Sequence, residues 1–144
     1  MAIKLNTGRK AIEFDIDNEI KTIYFNPTDP DLMVRFKDLG DKIEESIKGF
    51  ENIELNEKGE PINTDYAEIT REIKAKLCND IDWAFNGNVA KVVFETINPF
   101  AIVNNKYFIE IFVEAVMPVI SAEIQKANKK TMARMDKHIG KYKK

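Results

Sequence analysis

Apolar and polar residues alternate through Ile12-Glu13-Phe14-Asp15-Ile16, the period-two pattern of a strand with one buried face. Asp17-Asn18-Glu19 reads as a turn, and Ile20-Lys21-Thr22-Ile23-Tyr24-Phe25 is rich in the β-branched and aromatic residues that suit a pleated surface. Together they predict a β-hairpin. Ile3-Lys4-Leu5 offers a further short strand, joined through Asn6-Thr7-Gly8. An isolated hairpin is marginal in water, so a helix must cover its apolar face. The helix that begins near Leu32 is expected to do so.

The helical pattern takes over after Asn26-Pro27-Thr28-Asp29-Pro30-Asp31, where Asp29 reads as the N-cap, Pro30 as the first helical residue and Asp31 as part of the first turn. Leu32, Phe36, Leu39, Ile43 and Ile47 recur on one face, and Gly49 reads as the stop. Gly40 weakens this helix unless a neighbouring backbone packs closely against it. The turn-rich stretch from Phe50 to Asn63 is the candidate mobile loop. Thr64 can cap a second long helix carrying Tyr66, Ile69, Ile73, Leu77, Ile81 and Ala84, which ends at Phe85-Asn86-Gly87. A shorter helix follows from Val89 to Glu95 or Thr96, burying Val89, Val92, Val93 and Thr96, and Asn98-Pro99-Phe100 breaks it. From about Asn104 a long helix runs through Phe108, Ile111, Phe112, Ala115, Val119 and Ala122, with Pro118 expected to kink or interrupt it. Ile124, Met132, Met135 and Ile139 continue a weaker apolar face. The fold class is therefore α+β: an N-terminal β-hairpin packed on a predominantly α-helical body of about four helices.

Length and composition narrow this picture. At 144 residues, with 44% apolar and 32% charged residues, the chain has the size and composition of one globular domain. Its opening residues lack the apolar stretch of a secretory signal, and no run approaches the roughly 20 apolar residues of a membrane span. A cytoplasmic protein is expected. Net charge is −2 but unevenly spread: residues 123–144 carry eight Lys or Arg against two acids. Residues 1–122 are read as a single globular domain and 123–144 as a basic, helical C-terminal extension. A solvated tail is the plainest reading of that charge, a protein contact the next, and nucleic acid the weakest, because lysines without interleaved aromatics or a helix-turn-helix unit do not read bases.

Candidate chemistry is sparse. Cys78 and His138 are the single cysteine and histidine, too few for the usual cysteine- or histidine-based zinc sites. Cys78 sits beside the apolar stripe of the second long helix and reads as a small boundary residue; a nucleophile would need a lowered pKa and a base. The acid pairs Asp15/Asp17, Glu44/Glu45 and Asp80/Asp82 read as solvated or ion-paired faces, and Asp15-Asp17-Glu19 lacks the spacing and glycine of an EF-hand. Neither a dinucleotide fingerprint nor a P-loop occurs. No catalytic residue, metal site or cofactor is expected. Aromatic residues carry more information. Trp83 lies off its helix's stripe and Phe100 follows a proline-marked break, so either can pack internally or anchor a partner.

The segment Ile81-Asp82-Trp83-Ala84-Phe85-Asn86-Gly87-Asn88-Val89-Ala90-Lys91-Val92-Val93-Phe94 resembles a region of phage tail assembly chaperones and related prophage proteins of unknown function. Asn98-Pro99-Phe100 and the run from Phe108 to Ile120 look like that family's connection and final core helix. Asn86 departs from the pattern, standing where the family's turn puts phenylalanine directly before glycine. The resemblance spans Ile12 to Ile124 through short, apolar motifs. It implies a non-enzymatic factor that keeps the tape-measure protein soluble in the bacterial host cytoplasm and helps recruit major tail protein. The alternative is a structural virion or adaptor protein, and self-association into a homo-oligomer is compatible with either. On this reading the candidate protein-binding residues are Trp83, Phe85, Phe100 and Phe112, with Lys130, Arg134 and Lys137 at the edge of an assembly.

Overall fold

A computed structural model describes residues 1–62 and 65–142, with side-chain surroundings described through residue 130. The hairpin forms as the alternation predicts: β1 (Lys10–Ile16) pairs antiparallel with β2 (Glu19–Phe25), Ile12 opposite Ile23 and Ile16 opposite Glu19. Asp17 and Asn18 both adopt positive φ, 51° and 70°, the geometry of a type I′ turn, and Glu19 belongs to the strand. Ile12, Ile23 and Phe25 point into the core. Residues 1–9 form no strand, so Ile3-Lys4-Leu5 stands exposed instead of joining the sheet.

Helix α1 (Leu32–Glu51) buries Leu32, Phe36, Leu39, Ile43 and Ser46, with Ile47 at the boundary. Its N-cap is Asp31, two residues later than expected, because Asp29 instead closes the preceding turn: its carbonyl accepts from Leu32 N–H at 3.1 Å and its carboxylate from Asp31 N–H at 3.0 Å. Gly49 does not stop the helix, which continues to a C-cap at Asn52. Among the described residues Gly40 has no close neighbour to justify it; a Cβ there would meet none of them within 4 Å.

Helix α2 (Tyr66–Phe85) packs along α1 and buries Leu77, Ile81, Ala84 and Phe85. The expected cap Thr64 lies outside the described residues. The expected stop holds: Asn86 takes the left-handed conformation, and Gly87 N–H donates back to the Asp82 carbonyl at 3.1 Å. Helix α3 is a single turn, Ala90–Val93, shorter than its apolar pattern predicts. Thr96, expected on the buried face, is exposed, while Phe94 is buried.

Between α3 and the last helix the chain makes a second, unpredicted hairpin, β3 (Ile102–Val103) and β4 (Lys106–Tyr107). Asn104 and Asn105 supply its turn with φ of 52° and 65°. Helix α4 (Phe108–Tyr142) therefore starts later than expected, and the preceding loop tethers its first amides: Phe108 N–H donates to Ala101 O at 2.8 Å and Ile109 N–H to Pro99 O at 2.9 Å. Pro118 does not interrupt it. That position is exposed, so the carbonyl deprived of its donor lies on the solvent side, where water can satisfy it. The buried stripe is Ile109, Phe112, Val116, Ile120 and Ile124, one residue ahead of the predicted one, with Ala115, Val119 and Ala122 exposed.

Aromatic rings bind these layers. Phe112 meets Phe14 of the hairpin, Phe85 of α2 and Phe94 after α3, while Phe85 also meets Phe36 of α1 edge-on at 4.8 Å. A smaller cluster stacks Phe50 of α1 on Phe100 at 4.6 Å with Tyr107 against both. The hairpin thus lies on α3 through β2 and reaches α4 through Phe14; the contact expected with α1 alone is spread over several elements. Among the described residues, no helix is long and apolar enough to cross a membrane.

Candidate functional site

The start of α1 and the end of α2 meet at one end of the helical pair, fixed by Arg35. Its Nε donates to the Ala84 carbonyl at 3.2 Å and its Nη2 to Asp29 at 2.7 Å. The guanidinium hydrogen bond, aided by the Asp31 amide, holds the Asp29 carboxyl below its ordinary pKa. This joint orders the segment leading into α1.

Trp83, next to Ala84, is not buried, and neither are Met33 and Val34 in the first turn of α1. Trp83 remains 43% exposed, Met33 54% and Val34 60%. Lys42 places its ammonium 4.5 Å from the Trp83 ring centroid, a cation–π contact, and lies 3.8 Å from Asp80, which also pairs with Lys76 at 3.0 Å. The indole is thus oriented but uncovered, flanked by charges of both signs. Anchor side chains on binding surfaces in general combine an apolar face with a polar rim of this kind.

The other aromatic candidates lie elsewhere. Phe85, Phe100 and Phe112 keep only 3%, 6% and 4% of their surface and serve the two aromatic clusters, so none presents a face to a partner in this fold. Trp83 alone among the four is open. Lys130 is exposed on α4; the side chains of Arg134 and Lys137 lie outside the described residues. Met33, Val34 and Lys42 were not singled out from the sequence. Met33 and Val34 directly follow the stripe residue Leu32, so helical geometry already puts them off the buried face, and their size is the signal that was readable.

Groups suited to chemistry remain dispersed. Burial raises the pKa of the half-buried Cys78 thiol, opposite to what a nucleophile requires. Asp82 has a structural duty: its Oδ1 accepts from Val89 N–H at 2.9 Å and Ala90 N–H at 2.8 Å, capping α3 from a neighbouring helix. No group of three or more His, Cys, Asp or Glu able to hold a metal ion occurs among the described residues. An open cleft of about 580 Å³ separates β2 from the α2–α3 turn. Its ionisable groups include Arg35 and Asp29, which engage each other, and Arg9, whose guanidinium lies 4.1 Å from the Tyr24 ring centroid.

In comparisons with known proteins, no family model, curated protein or solved structure matches this chain.

Proposed function

We propose that this protein is a non-enzymatic assembly factor of the phage or prophage tail type, which binds tape-measure protein and keeps it soluble in the host cytoplasm while major tail protein is recruited. The observation that carries this reading is the exposed Trp83 near the end of α2, beside a well-filled aromatic core. A chaperone of this kind must shield apolar helix surface reversibly. The exposed face of Trp83, with Lys42 against its ring and Asp80 paired to Lys42 and Lys76, can take part without burying an unpaired charge. The resemblance between Ile81 and Phe94 supports the tail-assembly class, and it includes the one exposed aromatic of the candidate set.

Coexpression with a phage tape-measure protein tests the reading. The expected result is more tape-measure protein in the soluble fraction and a complex that survives purification. Unchanged solubility together with no complex would overturn it. Stable incorporation into purified particles would instead place the chain among structural virion or adaptor proteins.

A further inference from the structure

The arm preceding β1 is exposed yet patterned as a strand. Ile3 and Leu5 keep 80% and 83% of their surface, Lys4 lies between them, and residues 1–7 are exposed throughout. The root of the arm is fixed. Asn26 Nδ2 donates to the Thr7 carbonyl at 2.9 Å, Thr28 Oγ1 donates to it at 3.5 Å, and Gly8 passes the Thr28 side chain at φ +82°. A Cβ on Gly8 would come within 3.2 Å of Thr28 Cγ2. These contacts lie beyond the end of β2. They draw the arm to the β2 side of the sheet and away from the outer edge of β1 in the same molecule.

Among the described residues that outer edge has no strand beside it, the sheet being formed of β1 and β2. With a two-residue turn between Ile16 and Glu19, residues 16, 14, 12 and 10 exchange hydrogen bonds with β2, so Ala11, Glu13 and Asp15 direct their main-chain N–H and C=O groups outward. An open row of this kind is a template for another strand. The β2 edge is the less open of the two, since α3 packs against that strand.

Charge and face match the arm to this edge. Residues 1–10 carry Lys4, Arg9 and Lys10 with no acid; residues 11–19 carry Glu13, Asp15, Asp17 and Glu19 with no base. On β1 the acids Glu13 and Asp15 occupy the solvent face, while Ile12, Phe14 and Ile16 face the core, the last two only partly covered. A strand contributed by residues 2–5 can set Lys4 beside the acids while Ile3 and Leu5 extend the apolar face next to Phe14 and Ile16.

We infer that the arm of one copy adds as a strand to the outer edge of β1 in a second copy. Sedimentation of the full chain across a concentration series tests this independently of any tail protein. Self-association is expected, with Ile3→Asp/Leu5→Asp raising the apparent dissociation constant at least about tenfold at an unchanged melting temperature. Lys4→Glu should also weaken association, and combining it with Glu13→Lys and Asp15→Lys should restore it. A chain that stays monomeric throughout, association indifferent to Ile3→Asp/Leu5→Asp, or a charge reversal that fails to restore association overturns the inference.

Discussion

Phe112 and Trp83 mark two regions where aromatic residues meet opposite surroundings. Around Phe112 the rings of Phe14, Phe94 and Phe85 lie 5.6, 6.0 and 6.2 Å away, drawn from three other parts of the chain. At the joint of α1 and α2, Trp83 has an ammonium near its ring and 43% of its surface exposed. Both are large aromatic residues on long helices, but Phe112 lies on its helix's apolar stripe and Trp83 off its own. What also differs is the number of layers that converge on each position. In the first region a large side chain supplies stability; in the second it is left exposed, and substitutions should separate the two.

The largest effect is expected at the centre. Phe112→Ala should cost about 3–5 kcal/mol in urea unfolding, because the cavity it leaves is walled by several elements and cannot collapse easily. A loss below about 1 kcal/mol would break the contrast between the regions. Next comes Asp82→Ala, which strips the acceptor from the Val89 and Ala90 amides and should cost about 1–2 kcal/mol, with Asp82→Asn losing less. Gly40→Ala should stabilise by about 0.5–1 kcal/mol, since helix propensity improves and the methyl group meets no neighbour among the described residues.

The smallest effect concerns pH. Asp29 has a lowered pKa in the folded state, so its contribution is fully present above the ordinary carboxyl value of 3.8 and fades as pH falls through the lower folded value. Wild type should therefore lose slightly more stability on acidification than Asp29→Asn. Identical acid profiles would show that the Arg35 joint contributes nothing measurable.

Several of these features were legible in the sequence because a local rule governed them. Strict alternation around Ile12-Phe14-Ile16 placed the hairpin, and Asn86-Gly87 placed the end of α2. Where several rules competed, legibility failed. Phe108, Ile109, Ile111, Phe112 and Val113 are all apolar, so the period of α4 could be read but not its phase, and the buried stripe runs through Ile109. The β3–β4 hairpin has only two residues per strand, too short for any alternation to register. Gly49 was read as a stop, yet tertiary packing of Phe50 on Phe100 carries the helix past it. For the candidate site, the off-stripe position of Trp83 was readable from helical geometry. Phe112 lay on the stripe that periodicity marks, whereas the burial of Phe85 and Phe100 depended on contacts between distant segments, which one helix's periodicity does not encode.

The binding account rests most directly on Trp83. Its decisive measurement is copurification of tape-measure protein with Trp83→Ser, alongside the melting temperature of the variant alone. The account predicts a melting temperature within about 4 °C of wild type, a change of roughly 1 kcal/mol, and loss of the copurifying partner. A Trp83→Ser protein that folds normally and retains tape-measure protein as wild type does would contradict it.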